Sequence, residues 1–283
     1  MFDTIKSKLN SNSVTIEKAL QEYFNYYDKD YNTLIEAQKY GVLNGGKRIR
    51  AFLVMETCRL FGGTERAALP FACAIEMMHA SSLIHDDLPS MDNDDFRRGK
   101  PSTHKVFGES VALISGDALM IKAFETLISN EYLSDNSKMS ALQVLTNGSG
   151  DNGMLAGQMM DIIAASNKLD LNSLIKLHQH KTGKLISASA NLGCIAAGLS
   201  ENDGRYVSAV EYAEKVGLAF QIIDDILDYN NGRRELNSFT TFMSVDEALT
   251  CAQKLTQEGI NSIRPYDDGT LEELANYLIL RQY

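Results

Sequence analysis

The chain has 283 residues, of which 44% are hydrophobic and 23% charged, and this composition excludes an intrinsically disordered protein. Four prolines are too few for the many tight turns of a β-sandwich, so we expect long helices. The formal net charge of -10 excludes a general binder of nucleic-acid backbones, because that mode needs a surplus of Lys and Arg.

Apolar residues recur with helical spacing in ten blocks along the chain. The blocks span residues 14–27, 31–43, 48–61, 65–88, 107–129, 136–163, 171–199, 205–228, 244–262 and 270–281. Short breaks that carry Gly, Asn or Pro separate the blocks, and none is long enough to be a domain linker. We therefore predict an all-α fold of about ten helices in a single domain over residues 1–283.

Three features of the sequence predict a cytoplasmic protein without a transmembrane segment. The first ten residues carry charges and no apolar stretch, unlike a secretion signal. The longest uncharged run, residues 185–200, is shorter than a membrane span. The cysteines are scattered and form no CxxC pair, which is typical of buried thiols in a reducing compartment; they are Cys58, Cys73, Cys194 and Cys251.

The densest run of carboxylates is HDDLPSMDNDDFRR, at residues 85–98. A run of acids is usually a solvated helix face, but here an apolar stripe with steps of three and four continues onto Asp86. The members of that stripe are Phe71, Ile75, Met78 and Ser82. Pro89 should end the helix, which allows Asp92 to turn inward as well.

A second acidic run, QIIDDILDY, repeats this pattern at residues 221–229. Its apolar stripe continues onto Asp224 and Asp228 and consists of Val210, Ala213, Gly217 and Phe220. Unpaired buried carboxylates are costly, so two such clusters on interior faces predict a cation between them. Oxygen ligands without His or Cys select Mg²⁺, which usually completes its coordination with water and phosphate, so we expect a diphosphate substrate.

A basic cluster, GGKRIR at residues 45–50, stands out in this acidic chain. Glycine lets the backbone approach an anion, and Lys and Arg supply charge and hydrogen-bond donors for phosphate. On its own a basic helix start is more often a surface feature. Arg97 and Arg98, directly after the first acidic run, strengthen the interpretation as an anion site.

Four segments in order, GGKRIRA, HDDLPSMDNDDFRRGKPSTHKVFGE, HQHKTGKLI and GLAFQIIDDILD, resemble the motifs of trans-isoprenyl diphosphate synthases of the bacterial farnesyl and geranylgeranyl type. The resemblance covers about residues 34 to 228, and the long second motif is its most specific part. It implies an all-α bundle around a deep central cavity, usually in a homodimer, with the two aspartate motifs facing each other across the mouth.

The resemblance also implies roles for individual residues. Three Mg²⁺ ions would bridge the diphosphate of the allylic substrate, held mainly by Asp86, Asp92 and Asp224, with Asp87, Asp225 and Asp228 as further ligands or as residues behind them. The allylic diphosphate would contact Arg97, Lys181 and Gln221, with Thr182 beside them. Isopentenyl diphosphate would be held by Lys47, Arg50, His79 and Arg98. Ionisation of the allylic substrate would thus depend on Asp86, Asp92, Arg97, Lys181 and Asp224.

Product length depends, in the resembling family, on the helix turn before the first aspartate motif. A bulky aromatic five residues before the first Asp commonly closes the pocket near fifteen carbons. Ser81 and Ser82 are small here, so the resemblance favours a twenty-carbon product over a fifteen-carbon one. A residue from another helix is the alternative floor of the pocket.

The match breaks after Asp228, where the family usually has a longer segment with two lysines. This chain reads DYNNGRRELNSFTTFMSVDEA, so either the closing loop is short or a segment is missing from the sequence. Arg233 or Arg234 are candidates to replace the charge. The sequence leaves open whether Gln158 and Asp161 face the cavity. For His178 and His180 it favours a place behind the site or on the surface over a catalytic role.

Two rival functions stay open at this point. The first is a non-catalytic regulatory subunit of a heteromeric prenyl synthase, which the short segment favours and the intact acidic and basic motifs oppose. The second is a synthase of the same fold that cyclises its substrate or joins two chains head to head, which would lack an isopentenyl pocket. A nucleotide phosphotransferase is excluded because the chain has no GxxxxGK[ST] loop after a strand.

Overall fold

The computed structural model describes residues 2–280. In that range the helices are α1 (Asp3–Tyr23), α2 (Asn32–Val42), α3 (Ile49–Leu60), α4 (Glu65–Asp86), α5 (Thr103–Phe107), α6 (Glu109–Ile128), α7 (Asp135–Ser149), α8 (Met154–Ala164), α9 (Leu171–His178), α10 (Lys184–Ala196), α11 (Gly204–Asn230), α12 (Val245–Ile263) and α13 (Thr270–Ile279). A π-helical turn (Gln179–Gly183) joins α9 to α10, and a 3₁₀ turn (Phe239–Thr241) follows α11. The predicted all-α class is confirmed.

Besides α5, which no block predicts, the predicted blocks differ from the helices at three main places. Helix α1 begins at Asp3 rather than at 14, because Ile5 and Leu9 extend the buried stripe through a polar stretch. Block 136–163 is two helices, since the chain turns tightly between α7 and α8, where the amide of Gly153 donates to the carbonyl of Gly150 at 2.9 Å. Block 171–199 is interrupted by the π-helical turn, which periodicity alone does not distinguish from an α-helix.

A short hairpin was not predicted. Strand β1 (Phe96–Arg97) pairs antiparallel with β2 (Lys100–Pro101), directly after the first acidic run. The backbone of Arg98, at the tip, has φ 55°, in the left-handed region that non-glycine residues rarely adopt. The hairpin therefore fixes the position of the two arginines that follow the acidic run.

Helix α4 is the central helix of the core. It packs against α3, α6 and α10, and its buried residues include Phe71, Ile75, Met77 and Met78. By length and composition α4 is apolar enough to cross a membrane, but 72% of that window is buried inside the protein. We therefore interpret its hydrophobicity as that of a core helix.

A buried ion pair anchors the basic turn before α3. Arg48, with φ 51°, donates to Glu76 Oε2 of α4 at 3.1 Å and to the carbonyl of Val42 at 2.7 Å. Glu76 Oε1 in turn accepts from the amide of Ala51 at 3.2 Å. Breaking such a pair would leave an uncompensated buried charge, so the turn is held firmly on α4.

Candidate active site

A cavity with two adjoining lobes lies between the helices that carry the motifs. The lobe that we call the charged lobe has a volume of about 620 Å³ and is bordered by α3, α4, α10, α11 and α13. The apolar lobe, about 380 Å³, lies between α4, α6, α8 and the π-helical turn. Both lobes are lined by Arg50, His79, Leu83, Asp86, Lys181 and Thr182. The sequence motifs thus meet at the junction of the two lobes.

The first aspartate motif supplies two carboxylates to the cavity. Helix α4 ends at Asp86, before Pro89, and the amide of Asp92 donates to the carbonyl of Asp86 at 2.9 Å. Both side chains line the charged lobe. Burial, with a smaller contribution from Asp92, raises the pKa of Asp86 to about 6, against the lowering effect of Lys181. Asp86 is therefore a carboxylate whose surroundings lack full compensation for its charge.

The side chain of Asp87, unlike that of Asp86, does not line the cavity. It is 3% exposed, and its Oδ1 accepts from Nε of Arg97 at 2.9 Å and also from Nη2. Arg97 Nη2 further contacts Asp94 at 3.0 Å. The predicted role of Asp87 as a metal ligand is not supported by this geometry, because its carboxylate is occupied by the hairpin arginine and is absent from the cavity lining.

The second motif shows the same division. Asp224, on α11, lines the charged lobe together with Asp86 and Asp92. Asp225 is 6% exposed, and its Oδ2 accepts from the amide of Phe239 at 2.8 Å. Asp228, partly exposed, pairs with Arg233 at 3.5 Å and is not among the residues that line either lobe. Of the three predicted ligands in this motif, only Asp224 faces the cavity.

Asp225 belongs to a small network that holds the segment after α11. The ring of His178 stacks on Phe239 with centroids 5.4 Å apart, and its Nε2 lies 3.9 Å from Asp225 Oδ2. Burial lowers the pKa of His178 to about 4, so the ring is neutral at physiological pH. Gln221 Nε2 donates to Asp225 Oδ1 at 3.4 Å. Gln221, which the motif predicts to contact the allylic diphosphate, thus also makes a hydrogen bond within the protein.

The segment between α11 and the 3₁₀ turn is docked on the protein. Asn237 Nδ2 donates to the carbonyls of Ala164 and Asn167 at 2.8 and 2.9 Å, and its Oδ1 accepts from the amide of Leu169 at 2.8 Å. Glu235 lines a groove at the rim together with Asp92. Although this segment is short compared with the resembling family, it reaches the mouth of the cavity.

Basic residues of the predicted anion site line the charged lobe as well. Arg50 Nη1 lies 3.3 Å from His79 Nε2, and burial together with Arg50 holds the pKa of His79 well below its ordinary value. His79 is therefore a neutral acceptor for Arg50. Arg98 donates to the carbonyl of Gly45, and a Cβ at Gly46, whose φ is 115°, would lie 2.7 Å from the guanidinium carbon. Glycine at this position gives Arg98 its space.

Lys47 and the π-helical turn complete the site. Lys47 Nζ lies 5.5 Å from the ring centroid of Tyr277 in α13 and lines the charged lobe. Thr182 Oγ1 donates to Gln221 Oε1 at 3.1 Å, which ties the π-helical turn to α11. Lys181 Nζ donates to Asp161 Oδ2 of α8 at 2.5 Å. Asp161, left open by the sequence, is thus at the rim of the cavity.

Only one of the two predicted chain-length residues reaches the cavity. Ser82 lines the apolar lobe, whereas Ser81 is fully buried and does not line it. The two positions are one residue apart on α4, so they point about 100° apart around the helix. Four residues of other helices that the sequence does not single out also line this lobe: Leu113 and Met120 of α6, and Met154 and Leu155 of α8. No spacing rule connects positions so distant in sequence.

The donors suit Mg²⁺. Within residues 2–280, no three side chains of the His, Cys, Asp and Glu types form a ready-made metal site. Mg²⁺ keeps several waters and is usually bound by one or two carboxylates plus substrate phosphates, so such a site is not required. Asp86 and Asp92 on one side and Asp224 on the other are carboxylates without His or Cys among the candidates, which is the donor chemistry that this ion prefers.

Comparisons with known proteins agree with the motifs. The profile of the family described as "Polyprenyl synthetase" matches residues 31–239. The chain is 42% identical over 270 residues to a heterodimeric geranylgeranyl pyrophosphate synthase large subunit of Arabidopsis thaliana, covering 87% of this chain and 72% of that protein. It is 36% identical to the farnesyl diphosphate synthase of Haemophilus influenzae, covering 94% of this chain and 95% of the relative.

A solved structure gives the same result. The apo crystal structure of an FPP/GFPP synthase from Zymomonas mobilis superposes with a TM-score of 0.91 at 34% identity, and the match covers 99% of this chain and 100% of the other. The family expected from the motifs is therefore confirmed, as is the enzyme class. The chain belongs to the polyprenyl synthetase family, the trans-isoprenyl diphosphate synthases, and is a short-chain prenyltransferase.

Proposed function

We propose that this enzyme joins isopentenyl diphosphate to dimethylallyl, geranyl or farnesyl diphosphate, with geranylgeranyl diphosphate as its main product and farnesyl diphosphate as the shorter alternative. One observation carries the proposal. Asp86 and Asp224, from helices far apart in sequence, line one cavity together with Lys181 and Arg50. Two acids and two basic groups around one space are suited to a metal-bound diphosphate and a second diphosphate.

Asp86, Asp92 and Asp224 would hold the metal, and we propose three Mg²⁺ ions with the allylic diphosphate bound. Bound Mg²⁺ stabilises the negative charge that develops on the leaving diphosphate. Asp87 and Asp225 act behind these ligands, as their contacts with Arg97 and with the amide of Phe239 support. The groups that stabilise the negative charge of the leaving diphosphate are thus positioned before the reaction, and such preorganisation accelerates ionisation.

Lys181 and Arg97 would bind the oxygens of the allylic diphosphate. Lys181 stays charged, because Asp161, Asp86 and Asp92 raise its pKa despite burial. Arg97 remains charged as well, since Asp87 and Asp94 more than offset its burial and raise its pKa. Both cations therefore supply positive charge where the C–O bond breaks, and no nucleophilic side chain is needed.

Isopentenyl diphosphate would bind on the other side of the charged lobe, at Lys47, Arg50, His79 and Arg98. His79, neutral, accepts from Arg50 and so orients its guanidinium. Held there, the double bond of isopentenyl diphosphate attacks the allylic carbon, and the released diphosphate takes up the proton that is then lost. Holding both reactants in one cavity raises their effective concentration, and exclusion of water protects the carbocation.

The growing hydrocarbon would extend into the apolar lobe. Ser82 leaves space one turn before Asp86, which supports a product beyond fifteen carbons, while Met120 and Met154 border the same space from other helices. Each CH₂ that enters this lobe contributes about 0.8 kcal/mol to binding. Product length follows from where these side chains stop the chain.

We further propose a homodimer that forms through α6. Ile114, Ile121 and Ile128 repeat every seventh residue on the surface of α6 and are 55%, 66% and 51% exposed. A second copy of the chain would cover this apolar stripe. We also propose a cytoplasmic location, which the four cysteines, all free of disulfides, support.

A non-catalytic subunit is the competing proposal. One relative is named as a subunit of a heterodimer, and the segment after Asp228 is short. Against this role stand the charged residues around the cavity, which a subunit without substrates would not need. Loss of the closing segment would favour the subunit, whereas the contacts of Asn237 hold the segment that this chain has against the protein.

The test is an incubation of purified protein with Mg²⁺, labelled isopentenyl diphosphate and, separately, each allylic diphosphate, followed by chromatography of the dephosphorylated products. We expect a discrete twenty-carbon alcohol. A fifteen-carbon alcohol would keep the enzyme and correct the product length. No incorporation by folded protein would refute the proposal and favour the non-catalytic subunit.

A further inference from the structure

Lys181 is held by a residue that the proposed reaction does not use. Its Nζ donates to Asp161 Oδ2 at 2.5 Å, with 27% and 41% of the two side chains exposed. Asp161 is on α8 and lines the rim groove next to Asp92, outside both lobes of the cavity. The ion pair therefore spans from the cavity to its rim.

The backbones on both sides of this ion pair are held close together. Gly157, one helical turn before Asp161, packs directly on the π-helical turn, and a Cβ there would overlap the backbone nitrogen and Cα of Lys181. Because the two backbones are already in contact there, the fold fixes the distance between the α8 backbone and that of Lys181. The packing of α8 thus brings Asp161 within reach of the Lys181 side chain.

Lys181 has other carboxylates within electrostatic reach. Asp86 and Asp92 both act on it, yet its hydrogen bond goes to Asp161. An ammonium group on a flexible stem that lost its partner would turn to the nearest remaining carboxylate. Glu235 of the rim groove also interacts with Lys181, but Asp86 and Asp92, the two candidate metal ligands, are the carboxylates that act on Lys181 most strongly after Asp161.

We propose that Asp161 is a positioning residue that keeps the Lys181 ammonium away from Asp86 and Asp92, so that these two carboxylates stay available to Mg²⁺ until a diphosphate arrives. The inference rests on the proposed function, because it needs a site for a metal-bound diphosphate. On binding, Lys181 exchanges the Asp161 oxygen for a diphosphate oxygen. Only hydrogen bonds change in this step, and no covalent bond forms or breaks.

The test measures binding by calorimetry, with inorganic diphosphate as the probe and Mg²⁺ varied. In Asp161→Asn, we expect the Mg²⁺ concentration for half-maximal diphosphate binding to rise five- to tenfold. In steady-state assays the same variant should show that shift in Mg²⁺ requirement with kcat at saturating Mg²⁺ changed less than threefold. A matched control is Glu258→Gln, which removes the partner of Lys215 from an ion pair of 2.6 Å on α11 and α12. It should leave the Mg²⁺ requirement unchanged.

A second variant separates positioning from direct metal binding. In a Lys181→Met background there is no ammonium to hold, so Asp161→Asn should change the Mg²⁺ requirement less than twofold. If the five- to tenfold rise persists there, Asp161 acts on the metal itself and the inference is wrong. An unchanged or lower Mg²⁺ requirement in Asp161→Asn alone would also overturn it. Failure of the parent protein to bind diphosphate at any Mg²⁺ concentration would instead count against the proposed function.

Discussion

The two aspartate motifs have the same arrangement of side chains, but different parts of the chain hold them in place. In each, the first aspartate lines the cavity and the second is buried in contacts with the scaffold. Asp87 pairs with Arg97, only ten residues along the chain. Asp225 accepts from the amide of Phe239, fourteen residues along and beyond the end of α11. The first motif is thus stabilised by its own hairpin, and the second by the segment that follows its helix.

This difference shows that adjacent acids in such a motif are not interchangeable. One residue along a helix turns the side chain by about 100°, so a pair of neighbouring aspartates cannot both face one cavity equally. The second aspartate of each pair points away from the cavity and can accept hydrogen bonds from the segment of the chain that packs there. Four substitution experiments test this division.

The largest effect is expected from the cavity-facing pair. Asp86→Ala and Asp224→Ala should each lower kcat/KM by about 10³-fold, because each removes a charge that stabilises the developing diphosphate. Steady-state kinetics measures the loss of activity, and thermal unfolding measures any change in stability. The melting temperature should change by less than about 3 °C, since neither side chain is fully buried. Retention of a tenth of the activity in either variant would refute the metal assignment.

The scaffold-facing pair should affect stability and local order more than chemistry. Asp225→Ala leaves the buried amide of Phe239 unpaired and should cost about 1–3 kcal/mol of unfolding free energy. Hydrogen exchange should rise in residues 231–239 and stay unchanged in the hairpin. Asp87→Ala should show the reverse pattern.

The amide variant Asp225→Asn is the control for this prediction. Its side-chain oxygen can still accept from Phe239, so its loss of unfolding free energy should be less than half that of Asp225→Ala. Equal exchange in both segments for both alanine variants would mean that the two motifs share one support, contrary to the comparison.

The same division of neighbours applies to Ser81 and Ser82 on α4. Ser82→Phe narrows the apolar lobe and should shorten the main product by one isoprene unit with a small change in total turnover. Ser81→Phe would overpack the core, because Ser81 is fully buried, and should cost about 1–3 kcal/mol of unfolding free energy. Product chromatography and denaturant unfolding distinguish the two. A shorter product from Ser81→Phe at unchanged stability would return the chain-length role to Ser81.

The smallest effect is expected at Arg233. This residue is 75% exposed at its side chain and pairs with Asp228 at 3.5 Å, so Arg233→Ala should change the unfolding free energy by less than about 1 kcal/mol. We expect the KM for the allylic diphosphate to change less than threefold. If Arg233 instead took over the role of a lysine that the resembling family has in this segment, the KM of Arg233→Ala for the allylic diphosphate would rise tenfold or more.

Much of the site follows from the sequence because helical periodicity is a local property. The stripe that leads to Asp86 includes Ser82 and skips Ser81, so the sequence already contained the information that separates the two serines. The stripe on α11 identified Asp224 in the same way. Its further extension to Asp228 was less informative, because near the end of α11 the helix surface passes from the cavity to solvent.

The remaining features depend on contacts between distant parts of the chain. The partner of Asp225 lies past a turn whose path no local pattern specifies. Lys181 became a candidate only through the family motif, since a lysine in a polar stretch has no periodic signature. Its contact with Asp161 requires the π-helical turn and the packing of Gly157 together. Met120 and Met154 look like ordinary core residues in sequence, and only the fold places them at the cavity.

The most direct test of the division within the motifs is a crystal structure with Mn²⁺ and inorganic diphosphate, with the metals located by anomalous scattering. We predict metal positions bonded to Asp86 and Asp92 on one side and to Asp224 on the other, with Asp87 still on Arg97 and Asp225 still on the amide of Phe239. Metal bonded directly to Asp87 or Asp225, or metal on only one of the two motifs, would contradict the account.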